Sequence, residues 1–472
     1  MVKRIATIIV AVALGSGTML AGAHPGGIAR ELALGGSGYT SVSGLGMNFA
    51  TNPFIYEDPT LMLLNPAYQK MYKDYAWMNI GGGTLNGTST ADDGYGKQFS
   101  GVNFAVSKEF TLGTVLSFDP SFTNFLRTQL GTFVGQVRGI ASPVSPLPAI
   151  DVFEVVGTLD VGNIVFGAGI LYGWAKNDAT NLGLTTPPAA NNDQLSANVF
   201  GLRLGMLMDL GGGSSFGAAA ALRFDNATDN MTATSALGTA ANPGNYSASA
   251  TEIGIDARLR LKMSNKVNFV PYLSFGNVSG QPKQDAPATG ATSFNGSVKL
   301  SAMLLSIGAG GEYRLSNFYM AGGLSFRTSH YKTEISPSFP VGTQNPGTTT
   351  TTLSASEFPV FNLGVEWTLL DWLTGRMGYF RTFQSIGNKT ERPNNGLTTT
   401  TDYWSGNSNV LLGGYSGTDN SLLTFGVGLH FGNFALDATV SEDALRRGLG
   451  LIGGGQDNIN TFGYMTASYC FE

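Results

Sequence analysis

The sequence predicts an all-β fold, a transmembrane antiparallel β-barrel of about 16 strands (14 as the alternative) with an N-terminal hatch inside its lumen. Three observations lead there. Beyond residue 74 the chain falls into runs of roughly 8–16 residues that alternate apolar and polar side chains. These runs are joined by tight turns and by long polar loops in alternation, the asymmetry of outer-membrane barrels. Charged residues make up only 12% of the 472 positions, and Gly fills 65 of them, a balance that suits a wall facing lipid better than a surface facing water.

Read from the N-terminus, Lys3 and Arg4 precede an apolar run from Ile5 to Leu14, and Ala21-Gly22-Ala23 is an A-x-A cleavage site. Residues 1–23 therefore read as a signal peptide. A short membrane anchor is the competing reading, and Gly15-Ser16-Gly17 interrupts the run it needs. No Cys lies at the cleavage site, which argues against a lipoprotein. Without Lys3 and Arg4 the chain keeps 25 basic residues against 32 acidic ones, a net charge near −7. Such a chain cannot neutralise a row of phosphates, so a nucleic-acid partner is excluded. The single Cys, Cys470, can form no internal disulfide.

Residues 24–73 are Gly-rich and apolar and do not alternate. Phe54-Ile55 and Leu61 to Leu64 are too apolar to hang in water, so this segment is expected inside the barrel as a hatch. A periplasmic extension is the alternative. Residues 74–472 are assigned to the barrel, with sixteen strand-like runs from 74–83 to 459–471. An even number is what a closed single-chain barrel needs.

The alternation is clearest from Thr251 to Met263. Ile253, Ile255, Ala257, Leu259 and Leu261 share one face, while Glu252, Asp256, Arg258, Arg260 and Lys262 share the other. Tight turns are expected at Gly162-Asn163, Ser316-Asn317 and Gly432-Asn433. Asn177 to Gln194, Gln281 to Asn295, Pro337 to Thr352 and Gly387 to Asp419 read as long loops. A secreted β-sandwich is the competing fold, and the loop asymmetry disfavours it. Aromatics beside the turns, such as Trp367, Trp372, Tyr313 and Phe431, fit a membrane interface. At the C-terminus Met465, Ala467, Tyr469 and Phe471 share a face. They look like the signal read by barrel-assembly machinery, one expected partner, although Glu472 follows.

Two sets of residues are candidates for ligand binding. In Ser121 to Ile140, Phe122, Leu126, Leu130 and Phe133 recur at helical spacing with Phe125 beside them. They read as an apolar lid for greasy ligands or as a helix packed on the rim or on lipopolysaccharide tails. Arg203, Arg258, Arg260 and Arg376 are expected on the lumen face, where a carboxylate ligand would suit a guanidinium. Mutual salt bridges with the acidic residues of the same face are the competing use. The three His residues form no H-E-x-x-H, and no phosphate loop occurs, so neither an enzyme nor a metal or cofactor is expected.

Ser43-Gly44-Leu45-Gly46, then Glu57-Asp58, then Asn65-Pro66-Ala67 resemble the N-terminal hatch of the FadL family. Gly101 to Phe118 is similar to that family's second and third strands. The resemblance implies an outer-membrane channel of Gram-negative cells for passive uptake of long-chain fatty acids or other hydrophobic molecules such as aromatic hydrocarbons. It implies a hatch that blocks the lumen and shifts when ligand binds, and a sideways exit at a kinked third strand. Here that strand ends at Asp119-Pro120, where Pro cannot donate to a ladder or simply begins a loop. The family's best-known members have fourteen strands, fewer than the runs counted here. Two other readings remain open, a general porin with an open lumen and a secretion-accessory barrel of the PorV kind.

Overall fold

The structure is a computed structural model that describes residues 26–36, 52–81, 98–119, 150–182, 190–233, 244–287, 297–336, 348–392, 397–404, 421–440 and 462–471. The described chain opens with α1 (Ile28–Ala33), α2 (Leu61–Leu64) and a 3-10 helix (Pro66–Met71). Strands follow: β1 (Tyr75–Gly81), β2 (Gln98–Ala105), β3 (Phe110–Asp119), β4 (Ile150–Val161), β5 (Ile164–Leu182) and β6 (Ala190–Gly211). Then come β7 (Ser214–Ala233), β8 (Gly244–Lys262), β9 (Val267–Pro287), β10 (Ser297–Arg314), β11 (Phe318–Ser336) and β12 (Thr349–Leu370). The last are β13 (Leu373–Arg392), β14 (Leu397–Trp404), β15 (Ser421–Phe431), β16 (Phe434–Val440) and β17 (Phe462–Cys470).

All of them join one antiparallel sheet, and β1 closes it by pairing with both β2 and β17. β15 pairs with β13 from Leu373 to Arg381, whereas β14 pairs with β13 only from Ser385 to Arg392. β14 and β15 thus share one position in the wall, which gives a closed barrel of sixteen strands. The predicted sixteen holds, and the alternative of fourteen does not. Closure is what lipid demands, because an open edge would find no hydrogen-bond partner there.

The outward side chains form an apolar belt. On β4, Phe153, Val155 and Leu159 are exposed while Val152, Glu154, Val156 and Thr158 are buried. On β8, Ile253 and Ile255 face out while Glu252, Asp256 and Arg258 face in. At the tight-turn end the belt finishes in aromatics: Trp372 stacks on Phe431 with ring centroids 6.4 Å apart, and Tyr313 meets Phe318 edge-on. These rings lie where the aromatic girdle of a membrane barrel belongs.

Higher up, the polarity of the two faces reverses. On β10, Gly308 and Glu312 face in below, and Val298, Leu300, Ala302 and Leu304 face in above. The outward positions change in the opposite sense, from Ile307 and Met303 to Ser301 and Lys299. The reason is length. A tilted strand needs about 9–11 residues to cross a bilayer, and β6 and β12 each have 22. The surplus rises beyond the lipid, where outward side chains meet water. This corrects the sequence reading in which Asn177–Gln194, Gln281–Asn295, Pro337–Thr352 and Gly387–Asp419 are loops. β5 runs on to Leu182, β6 begins at Ala190, β9 reaches Pro287, β12 begins at Thr349 and β13 reaches Arg392. On β12, Thr350 and Thr352 fall on the outward face of a strand standing clear of the membrane.

Candidate functional site

The described parts of the N-terminal segment, 26–36 and 52–73, are almost wholly buried, although they belong to no strand. Their partners are inward-facing side chains from all round the wall. The Gly26 amide donates to Asp437 of β16, and the Ala29 amide to Thr466 of β17. The Tyr56 amide donates to Glu312 of β10 at 3.0 Å. Asn362 of β12 donates to the Gly35 carbonyl, and Gln69 donates to Asn103 of β2. The segment therefore lies in the lumen, toward the tight-turn end, where Lys70 reaches Asp160 and the Lys108 carbonyl.

The chain is an outer-membrane β-barrel. Closure, the apolar belt and its aromatic rim together decide this, because no water-facing sandwich would expose Trp174, Leu204 and Phe358 in such a band.

Within the barrel the segment is built around its own capping chemistry. Asn65 accepts from the Ala67 amide at 2.9 Å, with Pro66 at the first helical position, so Asn-Pro-Ala starts the 3-10 helix. The Asn65 amide nitrogen then donates to the carbonyls of Met206 and Ala218, fixing the motif to β6 and β7. The wall makes room for it with glycine. A Cβ on Gly167 would lie 2.3 Å from the Ala67 nitrogen, and a Cβ on Gly205 would lie 2.0 Å from the Asn65 oxygen. Gly167→Val is expected to leave the barrel assembled while displacing residues 65–67. Protease cleavage within 52–73 in the intact barrel would report it, and an unchanged digestion pattern would refute it.

Glu57 and Asp58 divide their work. Glu57 takes Arg260 at 2.8 Å and Arg314 at 2.9 Å. Asp58 is fully buried and accepts from Arg30, the Gly27 amide and the Thr60 amide. Arg30 also pairs with Glu366 of β12 at 2.9 Å and lies over the Tyr319 ring. Glu31 is buried beside them and accepts from the Asn52 amide at 2.7 Å, tying 26–36 to 52–73.

The four arginines offered as ligand candidates are all engaged here. Arg203 makes a two-pronged pair with Glu154, both bonds at 2.7 Å, and donates to the Leu63 carbonyl at the end of α2. Arg258 reaches the Ile55 carbonyl, and Arg260 holds Glu57. Arg376 pairs with Glu366 and with Asp437, both at 2.6 Å. Each lies at the segment or at a carboxylate that holds it. Phe122, Phe125, Leu126, Leu130 and Phe133 lie outside the described residues, as do Ser43, Gly44, Leu45 and Gly46.

Sequence reasoning missed several anchors. Arg30 and Glu31 carry no motif, and Glu154 and Asn103 are polar residues flanked by apolar ones. Gly213 to Gly217 spells G-x-S-x-G, a match the sequence reading passed over. It is a strand-to-strand hairpin, and Ser215 donates to the Tyr56 phenol at 2.7 Å, so it lacks the strand-turn-helix geometry of a hydrolase nucleophile.

No family model matches the chain, and no curated protein matches it in sequence. Among solved structures it is similar to a FadL homologue of Pseudomonas aeruginosa, at 12% identity over 97% of this chain and 100% of that one, with a TM-score of 0.40. It is also similar to the Pseudomonas putida toluene transporter TodX, at 10% identity over 92% and 98%, with a TM-score of 0.38. The ferric yersiniabactin uptake receptor FyuA from Yersinia pestis matches at 8% identity over 84% and 80%, with a TM-score of 0.37. Likenesses this distant carry no inference to substrate.

Proposed function

We propose that this barrel is an outer-membrane channel for passive uptake of hydrophobic molecules, long-chain fatty acids or aromatic hydrocarbons, and that residues 24–73 are its hatch. The reading rests on one observation. Above the N-terminal segment the wall turns Leu171, Val199, Ala250, Val298, Leu300 and Ile386 inward and buried, between the inward ion pairs of Arg223 with Asp225 and of Arg327 with Glu357. A general porin lines its lumen with polar side chains and water. Inward apolar side chains, with the charges between them already paired, over a lumen filled by the N-terminal segment suit a molecule that leaves water to enter and waits for the base to move. The contacts of Arg203, Arg258, Arg260 and Arg376 hold that base, and the inward apolar side chains above it receive the ligand. Such transport runs down a gradient and needs no catalytic residue.

Single-channel conductance in a planar bilayer tests the reading. The intact protein is expected to be closed with rare openings, and deletion of residues 26–67 to give a large steady conductance. Uptake of oleate or toluene by cells carrying the intact barrel, above that of cells lacking it, completes the test. A large steady conductance from the intact protein would mark an open porin and refute the hatch.

A further inference from the structure

We propose that the outer wall of β9–β13 carries a binding site for the bisphosphorylated acylated glycolipid of lipopolysaccharide, with phosphates on a lysine row and acyl chains in an apolar recess below. The inference concerns the outside of the barrel and does not depend on what passes through it.

The lysine row lies where the strands leave the apolar belt at the long-loop end. Lys332 of β11 stands opposite Thr352 of β12, which stands opposite Lys389 of β13. Neighbouring strands are about 4.7–4.9 Å apart, so these two lysines are about 10 Å apart at one level. Lys299 of β10 and Lys283 of β9 extend the row, and all four side chains point away from the lumen. Among the described residues of β2–β7, Lys176 is the one lysine on the upper outer wall. Lys299 and Lys332 line a recess of about 430 Å³ with Thr251, Ser279 and Ser301.

Among the described side chains, two carboxylates interrupt the row. Glu334 pairs with Lys332 and Glu391 with Lys389, each at 2.5 Å, with side chains 33–49% exposed. Exposed pairs of this kind contribute little and are screened by salt, so a phosphate can displace them. Lys299, Lys332 and Lys389 against Glu334 and Glu391 leave this part of the row positive.

The apolar recess lies below on the same strands. It has a volume of about 560 Å³, and Leu273, Ile307, Leu324, Phe326 and Phe358 line it. Its cause is visible in the ladders. Pro271 has no amide proton, and pairing of β8 with β9 skips from Arg258 to Leu261. Pairing of β11 with β12 is irregular between Ser325 and Arg327, where Pro359 lies in the bulge of β12. The wall is therefore dented toward lipid, with Arg258, Tyr272 and Ser325 at the back. Phe326 is six residues below Lys332 on β11, about 20 Å along the strand. That separation suits a phosphate above and the body of an acyl chain below.

Charge and position select the occupant. A row two to four strands wide matches two phosphates on one headgroup, whereas phosphatidylglycerol or phosphatidylethanolamine brings one. The long-loop end is the extracellular side, where lipopolysaccharide forms the leaflet.

Native mass spectrometry of the full barrel, purified from lipopolysaccharide-containing membranes and then exchanged against added lipids, tests this. Wild type is expected to retain bisphosphorylated lipid A at least tenfold better than the Lys299→Ala/Lys332→Ala/Lys389→Ala variant. The matching triple Lys→Arg variant is expected to keep retention, and dephosphorylated lipid A to bind as weakly as the alanine variant does. Equal retention by wild type and the alanine variant would overturn the site. Equal binding of phosphatidylglycerol would overturn the choice of occupant. Heat-modifiable migration of each variant on gels confirms that the barrel has formed.

Discussion

Replacing Arg203 with Ala is expected to open the proposed channel. Its guanidinium is 2% exposed and Glu154 is 1% exposed, with two bonds at 2.7 Å between them. Removing one partner leaves the other as an uncompensated buried charge, a loss of about 3–5 kcal/mol in comparable pairs. Here that loss falls on docking of the base, because Arg203 also donates to the Leu63 carbonyl. The barrel wall keeps its ladders, since Arg203 pairs with Ala221 and Gly169 through backbone alone. Frequent large openings in planar bilayers and faster protease cleavage within residues 52–73 are expected together. The Arg203→Met/Glu154→Met double variant removes both charges and should restore much of the closure, as apolar replacements of a buried pair often do. Closed, wild-type-like traces from Arg203→Ala would show that this pair serves the wall and not the base.

The barrel was legible in the sequence because lipid enforces a period of two. Ile253 against Asp256, or Leu423 against Thr424, can be sorted onto faces without a structure. Tight turns such as Gly162-Asn163 were legible for the same reason, since Gly162 has a φ of 70° that favours glycine. What escaped was the upper half of the strands. There the outer side chains meet water and the inner ones do not, so Thr349–Thr352 looks like a loop by composition and is a strand by pairing. The inward apolar side chains of the upper wall were hidden by the same reversal. On β10 the register places Ile307 outside and Val298 and Leu300 inside.

The N-terminal segment was legible only as something apolar that needed cover. Asn65-Pro66-Ala67 could be singled out because a cap followed by Pro has a local mechanism. Its fit against Gly167 and Gly205 depends on residues more than 100 positions away, which no local pattern encodes. Arg30 and Glu31 were invisible for the same reason, since their partners come from β12, from Asn52 and from Asp58.

If residues 24–73 act as the proposed hatch, closure is expected to depend on pH through Glu31. It is fully buried, and burial together with the nearby Asp58 carboxylate pushes its pKa well above the usual range. Burial likewise raises Asp58, against the opposing pull of Arg30. The charges facing the pair are Arg30 on α1, Arg258 on β8 and, through Arg30, Glu366 on β12. When the base undocks, both carboxylates return toward an ordinary value of about 4. The docked state therefore binds more protons, so this contribution is greatest below that ordinary value and is lost as pH rises through the raised one. Glu57 works in the opposite sense. Burial raises it, but Arg314 and Arg260 outweigh that and hold it low, so its contribution is present above the ordinary value and fails in strong acid. Between pH 5 and pH 8 Glu57 stays charged and Glu31 dominates. Open probability in planar bilayers is expected to rise from pH 5 to pH 8 in wild type. Glu31→Gln keeps an acceptor for the Asn52 amide without the proton, so it should remain closed across that range and flatten the profile. A steep profile surviving in Glu31→Gln would assign the sensitivity to another group, and a flat profile in wild type would show that the pair does not titrate when the base moves.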